Sequence, residues 1–245
     1  MAGPENMALD EALMARARQS GETVLRVYGW ATPTLSLGRN QRARGIYRDD
    51  LLADRDIRVV RRPTGGRALL HHREVTYSVT APCSAQEPLL AAYEEINALL
   101  LKALAALGVS VCIAQPGARA VGPTAAPCFA EPARGELVFE GRKLVGSAQW
   151  RERDALLQHG SILLDDDQSS IAELMRAPIP ARAPATLRDA LGRVPVMDEV
   201  ADALFDAVRS SADRSARPLE PDGELLRDAD RFAAHYRDDA WTWRR

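Results

Sequence analysis

The sequence predicts an α/β (α+β) chain, a mixed β-sheet flanked by helices with a short helical C-terminal portion. Three observations carry that prediction. At 245 residues, 46% hydrophobic and 27% charged, the chain can bury a core as one domain or a domain plus a small appendage. Strand-like and helix-like segments alternate over the first 113 residues and then strands run consecutively, which argues against a doubly wound parallel sheet. From Gln168 onward the pattern is helical. The expected organisation is a core over 1–167 with 168–245 as a helical extension packed on the same domain.

Residues 5–19 place Met7, Ala8, Leu9, Ala12, Leu13 and Met14 at helical spacing, with acids early and arginines late, as a helix aligned with its dipole requires. Val24–Tyr28 and Thr34–Gly38 read as strands about the turn-rich stretch Gly29–Pro33, and Tyr47–Arg55 has helical character. Val59–Arg62 is a strand that runs into Pro63, Thr64, Gly65 and Gly66, and Glu74–Thr80 alternates as the next strand. A helix over Gln86–Leu107 closes at Gly108, followed by Val109–Ile113 as a buried strand containing Cys112. Gln115–Pro127 is a Gly-, Pro- and Ala-rich loop that ends at Cys128 and Phe129, a placement typical of functional loops. Glu136–Glu140 and Lys143–Ala148 form a hairpin about Gly141, and Leu156–Leu164 is the following strand. Prolines 178, 180, 184 and 195 punctuate helical segments over 168–177, 184–191, 195–212 and 221–233.

Composition excludes several function classes. The longest apolar stretch, Ala98–Ala114, is broken by Lys102 and Gly108, short of the roughly 18 uncharged residues of a membrane span. Met1–Asp10 lacks a cationic region followed by an apolar one, so the expected compartment is the cytoplasm. Three cysteines without CxxC spacing do not make a disulfide framework or a zinc knuckle, and neither HExxH nor HxH spacing occurs, so no metal is expected. The net charge of −2 hides a mildly basic first third, 13 Arg against 9 acidic residues over 1–80. That excess is too weak and too poor in aromatics for nucleic acid, although it suits an acidic protein partner. Of the 32 basic residues only Lys102 and Lys143 are lysines, so a surviving Lys can mark a place that needs a compact amine.

Two segments carry candidate chemistry. In Arg61–His72 the pair Gly65–Gly66 lets backbone approach a ligand, and flanking guanidiniums can hold a carboxylate, phosphate or acyl carbonyl. A tight turn with exposed arginines is the competing reading. Neither a Walker loop nor GxGxxG is present. Cys128 lies fifteen residues before Lys143, and a hairpin folded under the loop would set an ammonium beside the sulfur, lowering its pKa and making it nucleophilic. A buried structural cysteine beside a surface lysine is the alternative, and Cys83 and Cys112 read as structural.

The runs RRPTGGRALLHHREVTYSV (61–79), GRKLVGSAQ (141–149) and LLQHGSILL (156–164) resemble the biotin/lipoate protein ligase superfamily. Within it they are similar to the cysteine-dependent octanoyltransferases. ENMALDEAL (5–13) and YGWATPTLSLGRNQ (28–41) extend the likeness to about residues 5–165. The resemblance implies that superfamily's catalytic-domain fold, with an acyl tunnel floored by the twin-glycine segment. It implies Cys128 as the nucleophile that forms an acyl thioester, and Lys143 as the group that activates it and polarises the carbonyl. Arg62, Thr64, Gly65, Gly66, Arg67 and His71 would form the substrate loop, with Gln158, His159 and Gly160 on a strand lining the same pocket. The implied donor is octanoyl-acyl carrier protein and the acceptor a lipoyl-domain protein such as the glycine-cleavage H protein, with no cofactor, nucleic acid or membrane.

Arg67 stands where ligases of the superfamily usually have a third glycine, which favours a transferase. The helical stretch after residue 165 is also too short for the accessory domain of many ATP-dependent ligases. Open alternatives are an ATP-dependent lipoate or biotin ligase, an octanoyl amidotransferase between lipoyl domains, and a catalytically silent acyl-binding relative.

Overall fold

A computed structural model of the chain describes residues 1–114, 127–129, 133, 135–179 and 182–245. Helix α1 (Gly3–Ser20) starts with proline in its first turn, and Gly21 stops it in the left-handed conformation by donating its N–H to Ala17 O. β1 (Val24–Tyr28) and β2 (Thr34–Leu37) precede the short α2 (Asp49–Asp54) and β3 (Arg58–Arg61). β4 (Leu69–His71) and β5 (Glu74–Pro82) follow, then α3 (Leu89–Ala106), β6 (Cys112–Ile113), β7 (Leu137–Phe139), β8 (Arg142–Glu152) and β9 (Ala155–Leu163). A 3-10 turn at Gln168–Ala172 leads to α4 (Leu187–Leu191), α5 (Met197–Ser211), α6 (Gly223–Arg237) and α7 (Asp239–Thr242).

Six strands form an antiparallel sheet in the order β1-β5-β9-β8-β7-β6, and three form a smaller sheet, β3-β2-β4. The mixed strand direction is confined to the smaller sheet, where β2 runs parallel to β3 and antiparallel to β4.

Side chains on β5 and β9 alternate between two environments, and that alternation places the site. Val75, Tyr77, Leu156 and Ile162 enter the main core with Ile96, Leu100 and Leu104 of α3 and Val200 and Leu204 of α5. On the opposite face Ala155 and Leu157 pack on Met14 and Ala17 of α1. Further along that face the residues turn polar, because His159 pairs in register with Ser78, and Ser161 with Thr76. A buried hydrophilic layer therefore separates part of α1 from the sheet.

The C-terminal helices are packed against this framework: Leu225 of α6 lies with Ala12 and Leu13 of α1. The Arg61 side chain of β3 is buried and donates through Nε to Thr242 O at 2.8 Å and through Nη1 to Gly38 O at 2.6 Å and Gln41 O at 2.8 Å. Trp241 Nε1 returns a bond to Arg61 O at 2.8 Å.

Some expectations are corrected. Val109–Ile113 is not a buried strand: Val109 is buried, but the strand is Cys112–Ile113 at the sheet edge, with both residues exposed. The glycine segment contains β4, so the loop between β3 and the next strand is shorter than expected. The helix at 168–177 reduces to a 3-10 turn, and α7 was not expected. Residues 115–126 of the expected loop lie outside the described residues. Among the described residues, no helix is long and apolar enough to cross a membrane, and no group of three or more His, Cys, Asp or Glu could hold a metal.

Candidate active site

The two residues singled out for covalent chemistry meet. Lys143, the second residue of β8, lies opposite Val138 of β7 beside a register shift at Leu137/Val138. Its Nζ donates to Cys128 Sγ at 3.2 Å, to Cys128 O at 3.0 Å and to Glu136 Oε1 at 2.6 Å. An ammonium has three hydrogens, and these three acceptors use all of them. The Lys143 side chain is 1% exposed and that of Glu136 9%. Burial works against the ammonium, but the Cys128 sulfur and the Glu136 carboxylate outweigh it and raise the Lys143 pKa above its ordinary value. The amine is therefore cationic at neutral pH, and it is an electrostatic partner for a thiolate.

Cys128 is partly buried, and its backbone N–H donates to Ala68 O at 2.9 Å, which ties the thiol-bearing turn to the glycine segment. Phe129 anchors that turn among Leu69 and Leu163 and sets its ring 4.7 Å from Lys143 Nζ. Arg67 Nη2 reaches Cys128 O at 3.5 Å.

Arg62 is buried, and its guanidinium shapes the loop it belongs to. It donates through Nη1 to Ser36 O and Ser36 Oγ at 3.0 Å each, and through Nη2 to Gly65 O and Arg67 O at 2.8 Å. Gly66 has φ +97°, and a Cβ there would lie 2.7 Å from Arg62 Nη2. The loop thus folds around a buried cation in a conformation that only glycine adopts without strain. A Cβ at Gly65 would meet nothing within 4 Å, so this residue stands at an open position.

The remaining expected residues fall in the polar layer. Thr64 Oγ1 is 2.6 Å from His159 Nε2, and His159 Nδ1 is 3.4 Å from Asp10 Oδ2. Asp10, fully buried in α1, also accepts from Arg26 Nη1, Tyr28 Oη and Ser78 Oγ, each at 2.8 Å. Burial opposes its charge, yet Arg26, His159 and Tyr28 hold its carboxyl below the usual range. A second chain of the same form links Ser36 Oγ to His71 Nε2 at 2.8 Å and His71 Nδ1 to Glu74 Oε1 at 3.1 Å. Burial holds His71 below its ordinary pKa, so the ring is neutral near pH 7. Glu74 also receives Thr76 and Ser161, and Trp30 stacks on His71 at 3.9 Å.

Gln158 and Gly160 face the other way. Gln158 Nε2 donates to Tyr77 Oη at 2.9 Å. A Cβ on Gly160 would lie 2.6 Å from both Gly146 O and Tyr77 Cε1, so close packing of β5, β9 and β8 accounts for that glycine. The site brings Cys128, Lys143, Arg67 and the glycine segment together, and sets Thr64, His71 and His159 in buried polar chains. Sequence reasoning missed Glu136, Asp10, Glu74 and Ser36.

The sequence pattern of the lipoyl protein ligase A/B catalytic domain matches residues 3–209. The chain belongs to that family. Among relatives in the lipoyl protein ligase A/B family, the octanoyltransferase LipM of Kyrpidia tusciae is 39% identical, over 98% of this chain and 94% of that protein. The LipM of Symbiobacterium thermophilum is 41% identical, over 82% and 80%. Solved structures confirm the lipoyl protein ligase fold. A lipoate-protein ligase A bound with ATP has a TM-score of 0.82 at 20% identity, covering 98% of this chain and 93% of that one. A bi-partite lipoate protein ligase from Thermoplasma acidophilum has a TM-score of 0.77 at 20% identity, covering 98% and 91%.

Proposed function

We propose that this protein is an octanoyltransferase of lipoate biosynthesis that carries the octanoyl group as a thioester on Cys128. The donor is octanoyl-acyl carrier protein and the acceptor a lysine of a lipoyl-domain protein such as the glycine-cleavage H protein. One observation carries this reading: Cys128 Sγ lies 3.2 Å from the amine of a buried, cationic lysine, Lys143. Octanoyl transfer is also the activity named for the relatives that align with most of the chain.

The Cys128 thiolate attacks the carbonyl carbon of the donor thioester, forming a C–S bond. The tetrahedral intermediate expels the carrier's thiolate, which takes a proton from solvent. One thioester replaces another of similar energy, so no activation by ATP is required. The acceptor's neutral amine then attacks, a C–N bond forms, and the C–S bond breaks to regenerate the Cys128 thiolate. The proton lost by the amine passes to water. Amide formation makes this second half downhill. As the sulfur turns neutral, the Lys143 Nζ hydrogen it held can turn to the carbonyl oxygen as negative charge develops there, and amides around Gly65 and Gly66 can add to that stabilisation. The basic first third of the chain suits an acidic carrier protein.

Cys128→Ala tests the proposal against ATP-dependent ligation of a free acid, which needs no thiol. Transfer from octanoyl-acyl carrier protein without ATP is expected to fall at least about 10³-fold. Retained transfer, or lipoate attachment that requires ATP and ignores the substitution, contradicts it.

A further inference from the structure

Lys143 is bonded to the Cys128 sulfur and the Glu136 carboxylate, and the proposed cycle consumes the charge on the first of them. While Cys128 is a thiolate, the ammonium is balanced by sulfur and by Glu136. Once the sulfur carries an acyl group it is neutral, and Lys143 is left buried with the carboxylate alone. A buried ammonium with no anionic partner is strongly disfavoured and would shed its proton. Yet the second half-reaction is where a cation beside the thioester carbonyl is required.

We infer that Glu136 is a positioning residue that keeps Lys143 an ammonium, aimed at the acyl carbonyl, throughout the acyl-enzyme stage. This rests on the thioester reading above and deepens it.

The geometry of Glu136 fits that task. Its Oε1 lies 2.6 Å from Lys143 Nζ, and its Oε2 accepts the Ala133 N–H at 2.7 Å. Its backbone is fixed as well, with N–H to Ala133 O at 3.2 Å and O from Ala114 N at 2.8 Å. The carboxylate is thus held at both oxygens and at both backbone groups, just before β7, and does not depend on the state of Cys128. Among the described residues, the other charged and titratable groups nearby do not substitute for it. Arg62 and Arg67 act on Cys128 and carry the wrong sign. Tyr77 and Tyr93 feel Glu136, but burial pushes both phenols up, Tyr77 to about 12, so they remain neutral. A consequence for mechanism follows. A lysine that stays protonated is an electrophilic donor and does not serve as the base that deprotonates the incoming amine.

The two-lysine composition makes the test direct. In Lys102→Arg protein labelled with [ε-13C]lysine, Lys143 gives the single side-chain lysine signal, and Cys128→Ala removes the negative charge at position 128, as acylation does. With Glu136 present, that signal is expected to remain that of an ammonium well above pH 8. Adding Glu136→Gln is expected to lower its titration midpoint by about 1–3 pH units. In parallel, with Cys128 intact, Glu136→Gln should slow single-turnover octanoyl transfer to the acceptor more than it slows acylation. The alkaline limb of the transfer step should move down in pH, and Glu136→Asp should restore part of the loss. Equal Lys143 titration with and without Glu136, or an unmoved pH limb, overturns the inference. If Glu136→Gln fails to fold, the Glu136→Asp titration and pH limb decide in its place. A wild-type protein that never acquires an octanoyl group would remove the thioester reading, while the titration still judges the Lys143–Glu136 pairing.

Discussion

Among single residues, Lys143 matters most because it keeps a cation dry. Lys143 is buried and bonded to sulfur, carbonyl and carboxylate, and against the cost of burial its pKa is raised by the Cys128 sulfur and the Glu136 carboxylate. Replacing it by methionine preserves length and removes the charge. Octanoyl transfer is expected to fall about 10²–10³-fold, the loss typical of one oxyanion donor. A loss under threefold in steady-state turnover would contradict the assignment. Lysine's rarity and the spacing across a hairpin drew attention to Cys128 and Lys143 in the sequence, but it was the resemblance to the superfamily that set them above a structural cysteine beside a surface lysine. The buried carboxylates were not legible, since acids within helical or strand patterns ordinarily mark solvated faces. Asp10 did leave a signal: it shares the face of α1 that buries Met7 and Met14, where a charge without partners would be costly. Its partners Arg26, Tyr28 and Ser78 lie on other elements, so sequence alone could not pair them.

At the scale of elements, the site's scaffold depends on a carboxyl at the join between the glycine segment and the 3-10 turn. Asp167 accepts the Arg73 N–H at 2.8 Å, and the neighbouring Gln168 extends β4 by bonding Leu70 N at 3.1 Å and Leu70 O at 2.6 Å. Burial raises Asp167 to about 6 from 3.8. Its folded form therefore favours the proton, and the stability it contributes is complete below about pH 4 and declines as pH rises to about 6. Asp167→Asn removes that decline. The stability difference between variant and wild type, from urea unfolding, should shift in the variant's favour by about 3 kcal/mol across that interval. A difference independent of pH would contradict the buried-carboxyl description.

Helix α1 and the strands at Val24–Tyr28 and Thr34–Leu37 were legible from period and from turn residues. β6 misled because a short apolar run does not say whether its strand lies in the core or at an edge. β4 was hidden because three residues after a glycine loop carry too little alternation to announce a strand. The 3-10 turn and α7 fall below the length at which periodicity is informative.

For the whole molecule, the helical extension and the core are joined through polar as well as apolar contacts. Arg61 of β3 is buried and bonds through Nε to Thr242 and through Nη1 to the 38–41 segment, while α6 packs on α1. Detaching the C-terminal helices would strand that charge. We therefore expect tryptophan fluorescence and far-ultraviolet circular dichroism to report one coincident unfolding transition. Two separated transitions would mean that 168–245 folds independently. The α/β class was legible from the order of segments, whereas the division into a six-stranded antiparallel sheet and a small mixed sheet was not, since strand partners are set by long-range register. The molecule as a whole is read as a relay that accepts an acyl group from one protein and passes it to another. Intact-mass analysis after mixing with octanoyl-acyl carrier protein, without ATP, tests that most directly. The account predicts a single octanoyl adduct that maps to Cys128, is absent from Cys128→Ala, and disappears when a lipoyl-domain acceptor is added as the acceptor gains the same mass. An acceptor that becomes octanoylated while the enzyme never carries the adduct, or carries it with Cys128 replaced, would contradict it.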